Sequence, residues 1–187
     1  MSVPNELLST LVATFMATKK ELCEDNAGPA DMTPLIIGSD INGKGFVLPD
    51  TLEDIPTDNL PLLLSALVNE LQDLNNTLAW NWVAYIAEGY EKASELPADF
   101  ERGAFEKEYR TNPASDVKEV LVVSLFTWEG VDVCGSVPYR YGDDGMPVWS
   151  EQRECELTEE QGVIPFTFGT FRKYCKHEGD LDVLMAK

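Results

Sequence analysis

Residues 120–128 read Val-Leu-Val-Val-Ser-Leu-Phe-Thr-Trp, "VLVVSLFTW", with an apolar side chain at seven of nine positions. A strand with one wet face would alternate apolar and polar residues. A run this continuous predicts a central strand covered on both faces. Glu129-Gly130 turns the chain, and from Val131 to Tyr141 the odd positions are apolar or glycine and the even ones mostly polar, as a half-buried strand requires. Asp143-Asp144-Gly145 is a second turn signal. The segment from Trp149 to Leu157 is mostly polar and reads as exposed, and residues 163–175 read as a last strand with Ile164, Phe166 and Phe168 on one face.

Upstream of Pro113 the period changes from two to helical. Leu7, Leu8, Leu11, Val12, Phe15 and Met16 form one apolar face over residues 4–22, with Lys19 and Lys20 placed to suit the helix C-terminus. From Thr57 to about Ser94 the leucines at 60, 64, 67, 71, 74 and 78 step by fours and threes, and Trp82, Tyr85 and Ile86 continue the stripe. This predicts a long helix, with a break admissible near Asn75-Asn76. A shorter helix is predicted over 99–109 and ends before Asn112-Pro113. The expected fold is α+β: N-terminal helices packed on a C-terminal antiparallel meander of about four strands. All 187 residues make a single domain, with 1–112 mainly helical apart from a short hairpin near 35–48, and 117–176 forming the sheet.

Net charge excludes more than it selects. The chain has 33 acidic and 14 basic residues, a formal charge of −19. Direct nucleic-acid binding and attachment to an anionic membrane are therefore not expected, since both rest on cationic contacts to phosphate. No run approaches the ~18 apolar residues of a membrane helix. Glu6 stands where a signal peptide carries positive charge, and the four cysteines are sparse for a disulfide-stapled domain, so a cytoplasmic location is expected.

Familiar chemistries find little support. The sole histidine, His177, lies two residues from Cys175, and on a strand the two would share a face. No oxyanion or orienting motif accompanies them. In a simple meander Cys134 would lie near Arg153 and Cys155 diagonal to it, while Cys175 would sit roughly 30 Å away along its strand, too far for one zinc ion. Neither a G-x-S-x-G elbow nor a phosphate-binding glycine loop is present. The stretch Asp40-Ile41-Asn42-Gly43-Lys44-Gly45-Phe46-Val47 opens like a calcium loop, but Lys44 and Thr51 occupy positions that need ligand oxygens. It reads instead as a hairpin turn at Asn42-Gly43. No cofactor, metal or catalytic residue is expected.

The charge pattern carries the functional expectation. No lysine or arginine occurs from 45 to 91, a span holding Asp50, Glu53, Asp54, Asp58, Glu70, Asp73, Glu88 and Glu91. From 143 to 160 stand Asp143, Asp144, Glu151, Glu154, Glu156, Glu159 and Glu160 against Arg153 alone. Solvated surfaces ordinarily mix both signs, because like charges repel. Uncompensated acid suits a face presented to a basic cleft, a device of nucleic-acid mimics, although the likeness is one of electrostatics alone. The expected function is thus a non-enzymatic interaction protein that blocks a basic, nucleic-acid-binding partner, with Trp149, Tyr139 or Tyr141 as exposed anchors. Alternatives are an oligomeric scaffold joined through the leucine stripe at 60–78, and an enzyme whose site goes unrecognised.

Overall fold

The computed structural model describes residues 3–48, 60–75, 77–91, 116–161 and 163–177. Helix α1 (Val3–Asp25) is followed by the strands β1 (Leu35–Asp40) and β2 (Gly45–Leu48), helix α2 (Leu60–Asn75) and strand β3 (Trp80–Glu91). Then come β4 (Lys118–Thr127), β5 (Val133–Tyr141), β6 (Pro147–Trp149), β7 (Arg153–Glu156), a 3-10 turn at Glu159–Gln161 and helix α3 (Val163–Lys176). The class is α+β, with a seven-stranded sheet in the order β2-β1-β3-β4-β5-β6 and β7 also on β5. Every pairing is antiparallel.

Residues 120–128 do what their composition demands. On one face Leu121, Val123 and Leu125 meet Leu8, Leu11, Val12 and Phe15 of α1. On the other, Phe126 packs with Leu67 and Leu71 of α2 and with Phe168, Phe171 and Cys175 of α3. The sheet is therefore the middle of three layers, and β4 is buried on both sides. Helix α1 approaches closely at Gly135, where a Cβ would stand 2.8 Å from Val12 Cγ2. Arg172 ties α3 to the β4–β5 turn through two bonds to Asp132 at 2.8 and 2.9 Å and one to the Thr127 carbonyl at 2.9 Å.

Two elements correct the reading of the sequence. The helix expected from Thr57 to Ser94 ends at Asn75, and Trp80–Glu91 is the strand β3. Trp82, Tyr85 and Ile86 continue the leucine spacing by coincidence. They belong to an aromatic and β-branched segment that favours the pleated state, and burial from both faces removes the alternation that would have marked it. The last strand expected at 163–175 is helix α3. There Phe168, Phe171 and Cys175 recur at helical intervals in the core, whereas Phe166 is 45% exposed. The sheet thus begins with β1–β3, inside the part expected to be mainly helical. The helix expected at 99–109 lies outside the described residues.

The hairpin near 35–48 is present as β1 and β2. Asp40 Oδ1 accepts the N–H groups of Asn42 and Lys44 at 2.9 and 2.7 Å, and Gly43 N–H donates to the Asp40 carbonyl at 3.0 Å. Gly43 has a φ of +81°, a conformation that favours glycine. The leucine stripe turns inward at Leu67 and Leu71, with Leu74 and Leu78 packed against the same core. No helix among the described residues is long and apolar enough to cross a membrane.

Candidate functional site

Among the described residues, two places concentrate ionisable groups, one buried and one exposed. The buried one begins with a lysine on the wrong side of an amphipathic helix. Leu8, Val12, Phe15, Lys19 and Cys23 follow one another at helical intervals along α1, and Lys19 is fully buried. An ammonium in that position must find partners or it would not stay charged. Its Nζ pairs with Glu88 Oε1 at 2.7 Å and donates to the Ala30 carbonyl at 2.6 Å. The rings of Tyr139 and Tyr141 stand 5.1 and 5.5 Å from it, within cation–π reach.

The sheet registers explain why these groups meet. Glu119 is directly opposite Tyr139 on β4 and β5, and Glu88 on β3 is opposite Leu121, two residues from Glu119. All three side chains rise from the face that α1 covers. The Tyr139 hydroxyl lies 2.5 Å from Glu88 Oε1 and 2.5 Å from Glu119 Oε2. Met32 N–H donates to Glu88 Oε2 at 2.6 Å, which fastens the segment after α1. Burial, and then the hydrogen bonds to Glu119 and Glu88, push the Tyr139 phenol far above its ordinary value, so it remains a neutral donor.

One phenol proton cannot serve two carboxylates. Glu88 also accepts from the Lys19 ammonium and the Met32 amide, whereas Glu119 has no such cation in contact among the described residues. The Glu119 carboxyl is raised above its ordinary value. Burial is the largest cause, opposed by the Tyr139 hydrogen bond and the Lys19 charge and reinforced by the charges of Glu88 and Asp31. The Tyr139 hydroxyl lies between the Glu119 and Glu88 carboxyl oxygens as donor, and the Lys19 ammonium donates to Glu88, so the four side chains form one connected network.

A pH dependence follows, with a definite sign. A carboxyl whose folded pKa is raised contributes stability fully below the ordinary glutamate range of about 4.3, and loses it as pH rises through the folded value. Glu119→Gln keeps a neutral hydrogen-bonding group and removes that titration. Its stability relative to the parent, read as urea midpoints, is expected to rise as pH climbs above the ordinary glutamate range of about 4.3. A difference that stays flat from there to neutral pH would show that the Glu119 carboxyl is not raised in the folded protein.

Nothing in the sequence reading singled out this network. The available signal is Lys19 within the apolar stripe, at a position that equally suits the helix C-terminus. Tyr139 is likewise fully buried and cannot anchor a partner, while Trp149 stands beside it with ring centroids 4.8 Å apart.

The exposed site is the outer edge of β5. Strands β6 and β7 both pair with β5, and all four residues of β7 are exposed. Asp143, Asp144, Glu151, Glu154 and Glu156 are exposed along this edge, and Glu160 is exposed on the 3-10 turn that packs against α3. Glu154 also accepts from Gln152 at 2.7 Å. Arg153, the one base between 143 and 160, is held by Glu91 at 3.0 Å, and Glu159 is taken by Lys173 at 2.6 Å.

The first acidic span is divided. Asp50, Glu53, Asp54 and Asp58 lie outside the described residues. Glu70 and Asp73 sit on α2, which packs by β1 and β2 at the opposite edge of the sheet. Glu88 is internal. Glu91, at the end of β3, reaches the second span through Arg153, but Glu70 and Asp73 do not.

The thiol positions also change. Cys175 is a helical core residue whose thiol burial raises to about 12, and exposed His177, two residues on in the helical turn, does not share its face. Cys134 stands directly opposite Cys155, not near Arg153. The β5–β6 turn is centred on Asp144, and one extra residue separates β6 from β7, which moves the register. Among the described residues, no group of three or more His, Cys, Asp or Glu side chains is placed to hold a metal ion. No protein-family model matches this chain, and neither a curated protein nor a solved structure matches it.

Proposed function

We propose that this chain is an acidic, non-enzymatic interaction protein that occupies the nucleic-acid-binding surface of a basic partner through its β6–β7 edge. One observation carries the reading: five exposed carboxylates, Asp143, Asp144, Glu151, Glu154 and Glu156, line one sheet edge whose local base is already neutralised by Glu91, and exposed Glu160 follows on the adjoining 3-10 turn. An edge strand also offers backbone N–H and C=O groups to an incoming chain. Val148, 61% exposed on β6, adds an apolar contact. Complementary charge would supply rapid association that weakens with salt. Asp50, Glu53, Asp54 and Asp58 extend the same acidic character.

The test uses charge-neutral variants at four of these exposed positions together, Glu151→Gln, Glu154→Gln, Glu156→Gln and Glu160→Gln. A partner recovered by pull-down at low salt should be basic, should bind labelled duplex DNA, and should release that DNA when the parent chain is added. The quadruple variant is expected to need at least about tenfold more protein for the same release, chiefly through slower association. Equal potency of parent and variant would overturn the assignment to this edge.

A further inference from the structure

We propose that Cys134 and Cys155 form a reversible disulfide that staples β7 to β5. The pairing is direct: the two residues are opposite partners in the antiparallel register, and both are free thiols. Directly opposed residues in such a ladder have Cα atoms ~4.5 or ~5.5 Å apart. Both spacings fall inside the ~4.4–6.8 Å that a disulfide spans. The two side chains share a face, and Cys155 is close enough to act on the Cys134 thiol both by charge and by hydrogen bond. The remaining cysteines, Cys23 on α1 and Cys175 on α3, are buried in other parts of the molecule and compete for neither thiol. This pairing rests on strand register and is independent of the partner proposed for the acidic edge.

Access orders the chemistry. Cys155 is exposed on the edge strand, whereas Cys134 is half-buried and accepts a contact from the Ser124 hydroxyl at 3.9 Å. The oxidant is a small-molecule disulfide such as oxidised glutathione. The Cys155 thiolate attacks one of its sulfurs, forms a mixed disulfide and releases one thiol. The Cys134 thiolate then attacks Cys155 Sγ, forms the protein disulfide and releases the second thiol. Two protein thiols are oxidised, one small disulfide is reduced, and the thiol protons leave with the two released thiols. Burial raises Cys134 to about 11, so the closing step accelerates with pH.

The consequence is mechanical. Strand β7 is held by four paired residues, all on its β5 side. The disulfide closes a loop that contains β6, the Asp143-Asp144-Gly145 turn and the start of the acidic edge. Restricting that loop in the unfolded chain raises stability. The oxidised protein is expected to melt roughly 5–10 °C above the reduced protein.

The experiment uses the full chain incubated in excess oxidised glutathione, quenched with acid, alkylated and digested with trypsin without reduction. Cleavage after Lys118, Arg140, Arg153 and Arg172 separates 119–140, which carries Cys134, from 154–172, which carries Cys155. The expected product is these two peptides joined, lighter by two hydrogens than their sum, and separated again by dithiothreitol. Cys155→Ser, at an exposed position, should abolish both the joined pair and the melting shift. Persistent glutathione on Cys155, two free thiols, a linkage through Cys23 or Cys175, or a linked form that melts no higher would each overturn the proposal.

Discussion

Lys19→Met is expected to destabilise the protein by about 3–5 kcal/mol, because it removes the charge that Glu88 faces while leaving the carboxylate buried. Methionine fills similar volume and suits a helix, so packing and propensity change little. The loss arises from the uncompensated Glu88 charge, 2.7 Å from where the ammonium stood, and from the contacts to Ala30 and the two tyrosine rings. The double variant Lys19→Met with Glu88→Gln tests that account. A neutral amide can still accept from Tyr139 and Met32, so the double variant should recover much of the loss, as buried ion pairs often tolerate neutral replacement. Urea unfolding of parent, single and double variants measures the coupling. A single variant within about 1 kcal/mol of the parent, or a double variant worse than the single, would show that the pair does not hold α1 to the sheet.

Phe168→Ala is expected to cost about 3–5 kcal/mol, whereas Phe166→Ala two residues earlier should stay within about 0.5 kcal/mol. Phe168 is fully buried and stacked on Phe126 with centroids 4.4 Å apart, and its removal opens a cavity between α3 and the sheet. Phe166 is 45% exposed. The contrast is a direct test of secondary structure. Residues two apart share a face on a strand but point about 200° apart on a helix. Equal losses at 166 and 168, measured by thermal or urea unfolding, would mean that 163–176 is not helical.

These two segments show where the sequence was legible and where it was not. The apolar stripe of α1 lies on a surface helix with one wet face, and its period survives in the letters. Val120 to Trp128 was legible for the opposite reason, since a run apolar at nearly every position has no wet face. The same logic hid β3. Trp80 to Glu91 is also covered on both sides, but it follows a leucine-rich helix whose spacing it happens to continue. In α3 the phenylalanines at 166 and 168 satisfy a period of two, and only the burial of Phe171 and Cys175 selects the helical alternative. The turns at Asn42-Gly43 and Asp143-Asp144-Gly145 were readable because turn chemistry is local.

The candidate sites divide in the same way. The acidic stretch at 143–160 could be seen in the letters, because its carboxylates from Asp143 to Glu156 follow one another along a single edge. The neutralisation of Arg153 by Glu91 could not, since it joins residues 62 apart in the chain. The Glu119–Tyr139–Glu88–Lys19 network joins one helix to three strands through pairings that no local pattern encodes.

Composition and periodicity by themselves determined a chain of −19 net charge that folds as helices on an antiparallel sheet, with its turns and its doubly covered central strand in place. Tertiary structure decided which ambiguous segments became β3 and α3, which carboxylates stayed in water and which thiols came face to face. Local propensity differs between helix and strand by at most about 1 kcal/mol per residue. Burial of a single large side chain outweighs that, and the choice of what is buried belongs to the assembled sheet.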